Sequence, residues 1–489
     1  MGRKNKINRP PQLAKAKTQR NLTPAQRELE ELVDKLLRLS TIPQQQNVLK
    51  SLENQKEISN ITERVKTLEI GRDAKNSVDN RATSATVDNF MKWALENGAK
   101  LNGCSIQEFE GYELGIKADV DIEQSTLVIA VPRKLMMSVE SAKQSILKEL
   151  IEKDKILSSM PNVTLAIFLL LEKFKGDSFW KSYIDILPKV YTTVLFFSVE
   201  ELEELKGSPT LELALRQIKS ISRQYAYFYK LFATSDDPVS KLMRNRFTYN
   251  EYCWAVSTVM TRQNTVPFQE DYHALIPLWD MCNHTNGTIS TAYNPVLDRS
   301  ECLALKNFKA GEQLFIFYGS RSNADLFVHN GFVYEDNDYD VYWMRLGISK
   351  SDPLQEKRNR LLDKLSISST SDFSIRKGAK PIDGQLLAFL RIFNMNEDQL
   401  DHWITSDKSG DLEYIDCALD TALETKSWCF LQARLKLLLS TYKTTLEEDE
   451  KLIAEARVSS NRLLAIKMRA TEKRIIRETL EYVEQYTKH

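Results

Sequence analysis

The sequence predicts an α+β fold: strands gathered in the middle of the chain, a helical insertion between them, and a helical block behind. Three observations carry this reading. Short apolar runs with strand character fall at 115–118, 127–132, 274–278, 302–305 and 313–318, bounded by turn residues. Helical periodicity interrupts them at 163–174 and again behind Thr248. Beyond Arg321 almost every periodic stretch reads as helix.

The chain has 489 residues, enough for about three domains. Its first 89 residues contain no aromatic side chain and no cysteine, so they have little with which to build a core of their own. Residues 1–20 carry seven Lys and Arg and no acid, which reads as a solvated basic tail, with nuclear import or RNA contact as the alternative. A helix starts at Thr23: Thr23 caps, Pro24 suits the first helical position, and Gln26 completes a capping box. Leu29, Leu32, Val33, Leu36 and Leu37 then share one face. A second, less periodic helix follows Pro43, and both must pack on another part of the chain. Phe90 to Ala94 opens a short helix that Gly98 stops. Thr248 and Glu251 form a second capping box ahead of Ala255, Val256, Val259 and Met260. A turn containing Gly311 joins the last two strands. The C-terminal periodicity lies at 385–393, 430–441 and 446–486; the last stretch has no Pro or Gly and makes one or two long helices. We place domain limits at 1–85, 86–320 (with the insertion at about 140–265) and 321–489.

Lys plus Arg number 67 and Asp plus Glu 67, which excludes a polyanion binder acting through bulk charge. The basic tail has no aromatic residue on which a base could stack. The six cysteines are scattered, which argues against a disulfide framework and for a reducing compartment. The longest near-continuous apolar run, 163–171, falls far short of the roughly 20 residues of a membrane span. The expectation is a cytoplasmic monomer, with the nucleus as a second location.

Phosphate-binding loops, dinucleotide fingerprints, nucleophile elbows and kinase motifs are absent from the sequence. Two clusters stand out instead. One is Trp279-Asp280-Met281-Cys282-Asn283-His284; the other is Phe315-Ile316-Phe317-Tyr318-Gly319, at a strand end. Cys282 and His284 are of metal-ligand type, but with only Cys302 to add they do not complete a tetrahedral site, so no metal is expected.

Taken together, an Asp-x-x-Asn-His segment after a strand and a Gly-Glu-x-hydrophobic-x-x-Tyr-Gly strand some thirty residues later resemble the SET-domain protein methyltransferases. Ser178-Phe179-Trp180, Tyr183-Ile184 and Leu187-Pro188 resemble the inserted helical region of the Rubisco-lysine-methyltransferase subgroup, and the C-terminal block resembles that subgroup's substrate-binding domain. Segments 223–230, 259–264, 275–287 and 385–391 are similar to the actin-histidine branch, with similarity running from about 89 to about 476. The resemblance implies a SET β-fold with a helical insertion followed by an all-α substrate-binding domain, S-adenosylmethionine as methyl donor, and a histidine of actin as acceptor. It places the cofactor at Arg81, Tyr112, Glu113, Leu114, Arg262, Asp280, Met281, Cys282, Asn283, His284, Asn330, Gly331 and Phe332. It places catalysis at Tyr318, Asn264 and Trp279, and substrate contacts at Arg223 and Arg321. At one point the chain departs: the family has Gly-x-Gly in the first cofactor loop, and Glu113 stands at the first glycine.

The residue types suit the reaction. Methyl transfer is an in-line displacement, so positioning supplies much of the catalysis. A histidine, with a reference pKa near 6.5, is mostly neutral at pH 7, whereas a lysine near 10.4 must first lose a proton. The histidine site needs the correct tautomer, and the amide of Asn264 offers both a donor and an acceptor to fix it. Two rival readings stay open at this point: a lysine methyltransferase acting on histone or other proteins, and a non-catalytic actin-binding scaffold.

Overall fold

The computed structural model describes residues 23–43, 48–70, 83–266 and 273–487. Among the described residues, four small sheets are held in a helical frame. In the first, antiparallel, the order is Lys100–Leu101, Leu127–Pro132, Arg299–Leu303, Thr291–Asn294. In the second it is Cys104–Phe109, Glu113–Ala118, Gln313–Ile316, Asn283–His284. Its last pair is parallel, with Asn283 opposite Phe315 and His284 opposite Ile316. The two strands flanking Gly311 therefore belong to different sheets: the turn redirects the chain, its left-handed Gly311 donating to the Ala118 carbonyl at 2.7 Å. The third sheet joins Met137–Ser138, His273–Leu275 and Gln263–Thr265.

The insertion supplies the helical frame. Every residue from Val163 to Glu172 of Pro161–Phe174 is buried, so this helix is apolar on all sides and fully surrounded. Tyr249–Arg262 packs along it. Thr248 caps the Glu251 amide, but the Glu251 carboxylate pairs with Lys173 at 2.6 Å on the neighbouring helix rather than closing the expected capping box. Tertiary pairing outcompetes the local cap because the site is buried.

The N-terminal helices join the same core. Pro24–Thr41 has its Thr23–Gln26 capping box and buries Leu29, Val33 and Leu36 against Pro209–Thr234. Glu69, ending Val48–Glu69, is buried; it accepts from the Tyr225 hydroxyl at 2.7 Å and the Tyr249 amide at 2.9 Å. The aromatic residues these helices lack are supplied by the insertion. The next helix, Ser84–Glu96, starts six residues ahead of Phe90, because Thr83 caps it.

The C-terminal region is helical, with the addition of a two-stranded antiparallel sheet of Val341–Gly347 and Thr370–Arg376, between which the chain forms the helix Gln355–Lys364. The first strand's alternation, Tyr342, Met344 and Leu346 inward and Trp343 and Arg345 outward, is a strand signal in a segment read as helix. The 446–486 stretch forms two helices, Leu446–Glu455 and Ser460–Thr487, separated where Ala456 turns left-handed at φ +46°.

The final helix links the two cores. Ala465 and Met468 pack in the first, and Ile475, Ile476 and Val483 in the second, which begins at Tyr342. Between them lies a buried charged belt. Arg469 binds Asp449 and Glu204, and Lys473 binds Asp449 at 2.6 Å. Removing one partner leaves a buried charge uncompensated, at a cost of about 3–5 kcal/mol. Beside this belt Glu472 accepts from Ser208 at 2.9 Å, Thr210 at 2.7 Å and Tyr442 at 2.8 Å. No cation pairs with Glu472 among the described residues, and burial pushes its carboxyl from 4.5 up to about 7, although the three hydroxyls pull it down.

A group whose folded pKa is raised stabilises the fold at low pH and loses that contribution as pH climbs to the folded value. Glu472→Gln keeps the acceptor for Ser208 and Thr210 and removes the titration. Its melting temperature should exceed that of the parent by a few degrees at pH 8, and the gap should close by pH 5; an unchanged gap across that range would count against the buried proton.

Candidate active site

The site forms where the second sheet meets the insertion. Strand Gln313–Ile316 runs out towards Tyr318, and the short strand Asn283–His284 lies beside it. Two hydrogen bonds fasten the pair. The Tyr318 amide donates to His284 Nδ1 at 3.2 Å, and the Tyr318 hydroxyl donates to the Cys282 carbonyl at 2.7 Å. Nδ1 is thereby an acceptor, which leaves the proton of the neutral His284 ring on Nε2. Burial, aided by Arg321, pushes His284 down to about 4, so the ring stays neutral near pH 7. Tyr318 is raised by burial, with Arg262 opposing, so its hydroxyl remains a donor.

Leu278 sets the direction of the other wall. It is buried and takes φ +71° with ψ −49°, a sparsely populated conformation that costs about 1–3 kcal/mol. This bend turns the chain out of His273–Leu275 into the 3₁₀ turn Trp279–Met281. Asp280 is buried beneath it, accepting from the Tyr183 hydroxyl and pairing with Arg262 Nη1 at 3.4 Å. Burial raises its carboxyl, and Arg262 and Tyr183 oppose that. Arg262, the last residue of its helix, also donates to the Asp280 carbonyl at 2.8 Å. Desolvation works against its charge, but Asp280 and nearby tyrosines outweigh it and raise its pKa.

Two cavities open on this junction. The larger, about 440 Å³, is lined by Tyr112, Glu113, Leu114, Arg262, Asp280, Met281, Asn283, Tyr318, Asn330 and Phe332, with Thr83, Thr86, Asp185, Leu187, Lys189 and Tyr191 among the rest. The smaller, about 260 Å³, is lined by Asn264, Trp279, Cys282, Arg321, Ile289 and Tyr293, among others. Both include Thr261, Arg262, Asp280, Tyr318 and Asn330. The two cavities thus approach the same five residues from different sides. A π-turn, Leu326–Asn330, brings Asn330 to the junction, where it accepts from Arg321 at 2.9 Å. Gly331 follows at φ +78°; a Cβ there would meet the Thr192 carbonyl carbon at 2.8 Å.

Of the residues named from the sequence, most are thus gathered around one junction. His284 does not line either cavity; it lies beneath Tyr318, among Phe317, Phe332 and Tyr334. Arg223 is exposed on Pro209–Thr234 and lines neither cavity. Arg81 lies outside the described residues. Sequence reasoning missed Tyr183 as the partner of Asp280, and Asp185, Leu187, Lys189 and Tyr191 as cavity wall. They come from the insertion, and no local pattern connects them with a segment almost a hundred residues away.

Comparison with known proteins fits this arrangement. The SET-domain family model matches residues 113–319, and the Rubisco LSMT substrate-binding model matches residues 349–476. Proteins named actin-histidine N-methyltransferase are similar along most of the chain. The chicken (Gallus gallus) protein is 44% identical over 82% of this chain and 69% of its own. The Xenopus tropicalis protein is 45% identical over 80% and 69%, and the mouse (Mus musculus) protein 43% over 82% and 69%. This chain belongs to the actin-histidine N-methyltransferase family. Among solved structures, Rubisco LSMT bound to sinefungin and monomethyllysine superposes with a TM-score of 0.67 at 23% identity, covering 82% of this chain and 92% of that one. The SET domain of LSMT bound to lysine and AdoHcy gives 0.66 at 23%, covering 83% and 92%. These two show a shared fold.

Within that family fold, the larger cavity suits a nucleoside joined to an amino acid. Its volume is typical of small-molecule sites. Tyr112 and Phe332 offer aromatic faces, and Asn283 and Arg262 polar groups. Arg262 Nε and Asp280 Oδ1 are buried without a hydrogen-bond partner among the described residues. Gly115 is what lets the backbone approach: a Cβ there would lie 2.6 Å from Gln313 Oε1 and 3.1 Å from Asn283 Nδ2. The Asn283 amide is held by those same neighbours, donating to the Leu114 carbonyl at 3.1 Å and to Gln313 at 2.7 Å. Gly115→Ala should therefore displace Asn283 and weaken S-adenosylhomocysteine at least about ten-fold by calorimetry, with a small loss of melting temperature. Unchanged affinity would remove Asn283 from the cofactor wall.

Proposed function

We propose that this chain transfers a methyl group from S-adenosylmethionine to the distal (tele) imidazole nitrogen of a specific histidine in actin. The observation that carries the reading is the meeting of two cavities at Tyr318, with a carboxamide and an indole on the acceptor side. The names of the relatives support actin as the acceptor protein.

S-adenosylmethionine, held by Arg262, Asn283 and the Tyr112–Leu114 loop, supplies an electrophilic methyl group on sulfur. The chain's own residues do the rest. Trp279 forms a flat wall for the acceptor ring. Asn264, whose amide donates to the Arg262 carbonyl at 3.2 Å, keeps its oxygen available to accept from the ring N–H that is not methylated. This selects the tautomer whose lone pair lies on the distal nitrogen. The Tyr318 hydroxyl, held by the Cys282 carbonyl, limits ring rotation at the junction. Arg321 anchors the flanking peptide, and the helical domain carries the rest of the actin surface.

The cavity's electrostatics favour histidine over lysine. Its lining includes two arginines, Arg262 and Arg321, and a carboxylate, Asp280, already engaged by Arg262 and Tyr183. Positive charge disfavours a cationic acceptor. A neutral imidazole enters without a proton transfer, whereas a lysine would need a free base to take one. The decisive assay is methyl transfer to unmethylated actin, with the product site located by mass spectrometry. Asn264→Leu should lower kcat on histidine at least about ten-fold, since it removes the group that fixes the ring. Full activity of that variant would sink the tautomer argument, and transfer to lysine in place of histidine would move the assignment to the lysine class.

A further inference from the structure

Glu113 is an outlier in three respects. It sits at φ +58°, in the left-handed region, immediately beside the turn that carries Gly111 at +78°. A glycine would take that conformation without strain. Glu113 lines the larger cavity, as do Glu108 and Arg262, and its carboxylate feels the charge of both. Its carboxylate takes no hydrogen bond and no ion pair among the described residues, although desolvation already works against its charge, Arg262 favours it, and Glu108 adds repulsion. Glu113 is exposed, so its carboxylate is hydrated in the unliganded chain and free to be engaged; the strained backbone is the costly feature, and such outliers point towards ligands.

Charge identifies the ligand group. The methionine end of S-adenosylmethionine is a zwitterion, with a carboxylate and an ammonium on one carbon. Arg262 provides the positive pole of the cavity. We propose that Glu113 provides the negative one, and that its carboxylate accepts a charge-assisted hydrogen bond from the cofactor's α-ammonium group. This gives the chain a side-chain contact at a loop position where the family has a glycine. The other charged residues lining the cavity, Asp185, Lys189 and Asp280, sit on the insertion and on the Trp279 turn, and Asp280 is already paired with Arg262. The inference rests on the cofactor reading above, which binding by the unmodified protein checks separately.

The test compares two ligands by calorimetry. S-adenosylhomocysteine carries the amino-acid end without the sulfonium charge; 5′-methylthioadenosine keeps the adenine and ribose and lacks the amino-acid end. Glu113→Gln should weaken S-adenosylhomocysteine about ten-fold, as expected for loss of a hydrogen bond to a charged group, and leave methylthioadenosine within about two-fold. Glu113→Gly should show the same loss of affinity while melting at a higher temperature, because the strain is relieved. Unchanged binding of S-adenosylhomocysteine would overturn the proposal, and so would an equal loss with methylthioadenosine, which would place Glu113 on the ribose or adenine.

Discussion

Tyr318 ties together two segments that are more than thirty residues apart, and the rest of the site takes its position from that tie. Its amide fixes the tautomer of His284 and its hydroxyl fixes the Cys282 carbonyl. With both ends of the Cys282–His284 segment held, the Asn283 side chain reaches past Gln313–Ile316 to the strand Glu113–Ala118, where its amide donates to the Leu114 carbonyl. The bonds are individually modest, about 0.5–1.5 kcal/mol each. Their importance is geometric. Loosening Tyr318 would free the wall of both cavities at once, because Tyr318 lines both.

Around this tie the backbone is bent where a relaxed chain would run straight. Leu278, Glu113 and Gly331 all take positive φ, and each adjoins or forms a cavity wall. Such strain persists only if the surroundings over-determine it. Here they do. Leu278 is wholly buried, Gly331 lies against Thr192 and Thr193, and the helical frame is itself clamped from behind by the final helix. The Asp449–Arg469–Lys473 belt, through Glu204, and the Glu472 hydroxyl cluster join the C-terminal helices to the insertion, so the C-terminal domain is braced against the same scaffold that shapes the larger cavity.

How much of this was legible in the sequence follows from how local each determinant is. The capping box at Thr23, the apolar helix behind Pro161, and the strand ending before Tyr318 are written in runs of neighbouring residues, and they were readable. The Asn283-His284 and Tyr318 clusters were readable as a pair because their order and spacing are specific. The partners of Asp280 were not, since Tyr183 comes from the insertion, 97 residues earlier, and nothing local marks it. The strand Val341–Gly347 carried a clear alternation, but the long periodic helices around it masked the signal. Glu113 could be seen to replace a glycine; that the backbone nonetheless keeps the left-handed turn required the structure.

Under the proposed transfer to histidine, the electrostatics of the junction suit a neutral acceptor. Arg262 is the positive charge that both cavities share, and its pairing with Asp280, itself bonded to Tyr183, holds it in a fixed position. On the donor side this positive pole needs an anionic counterpart, and the carboxylate end of an amino acid supplies one. On the acceptor side the same charge, reinforced by Arg321, makes protonation of an incoming ring unfavourable. One arginine therefore contributes to holding the donor and to keeping the acceptor nucleophilic. A general base would be redundant there, and the Asp280 carboxylate at the junction is already engaged through Oδ2 by Arg262 and Tyr183. What remains for the acceptor wall is orientation, and an amide and an indole, which carry no charge to disturb that balance, are suited to it.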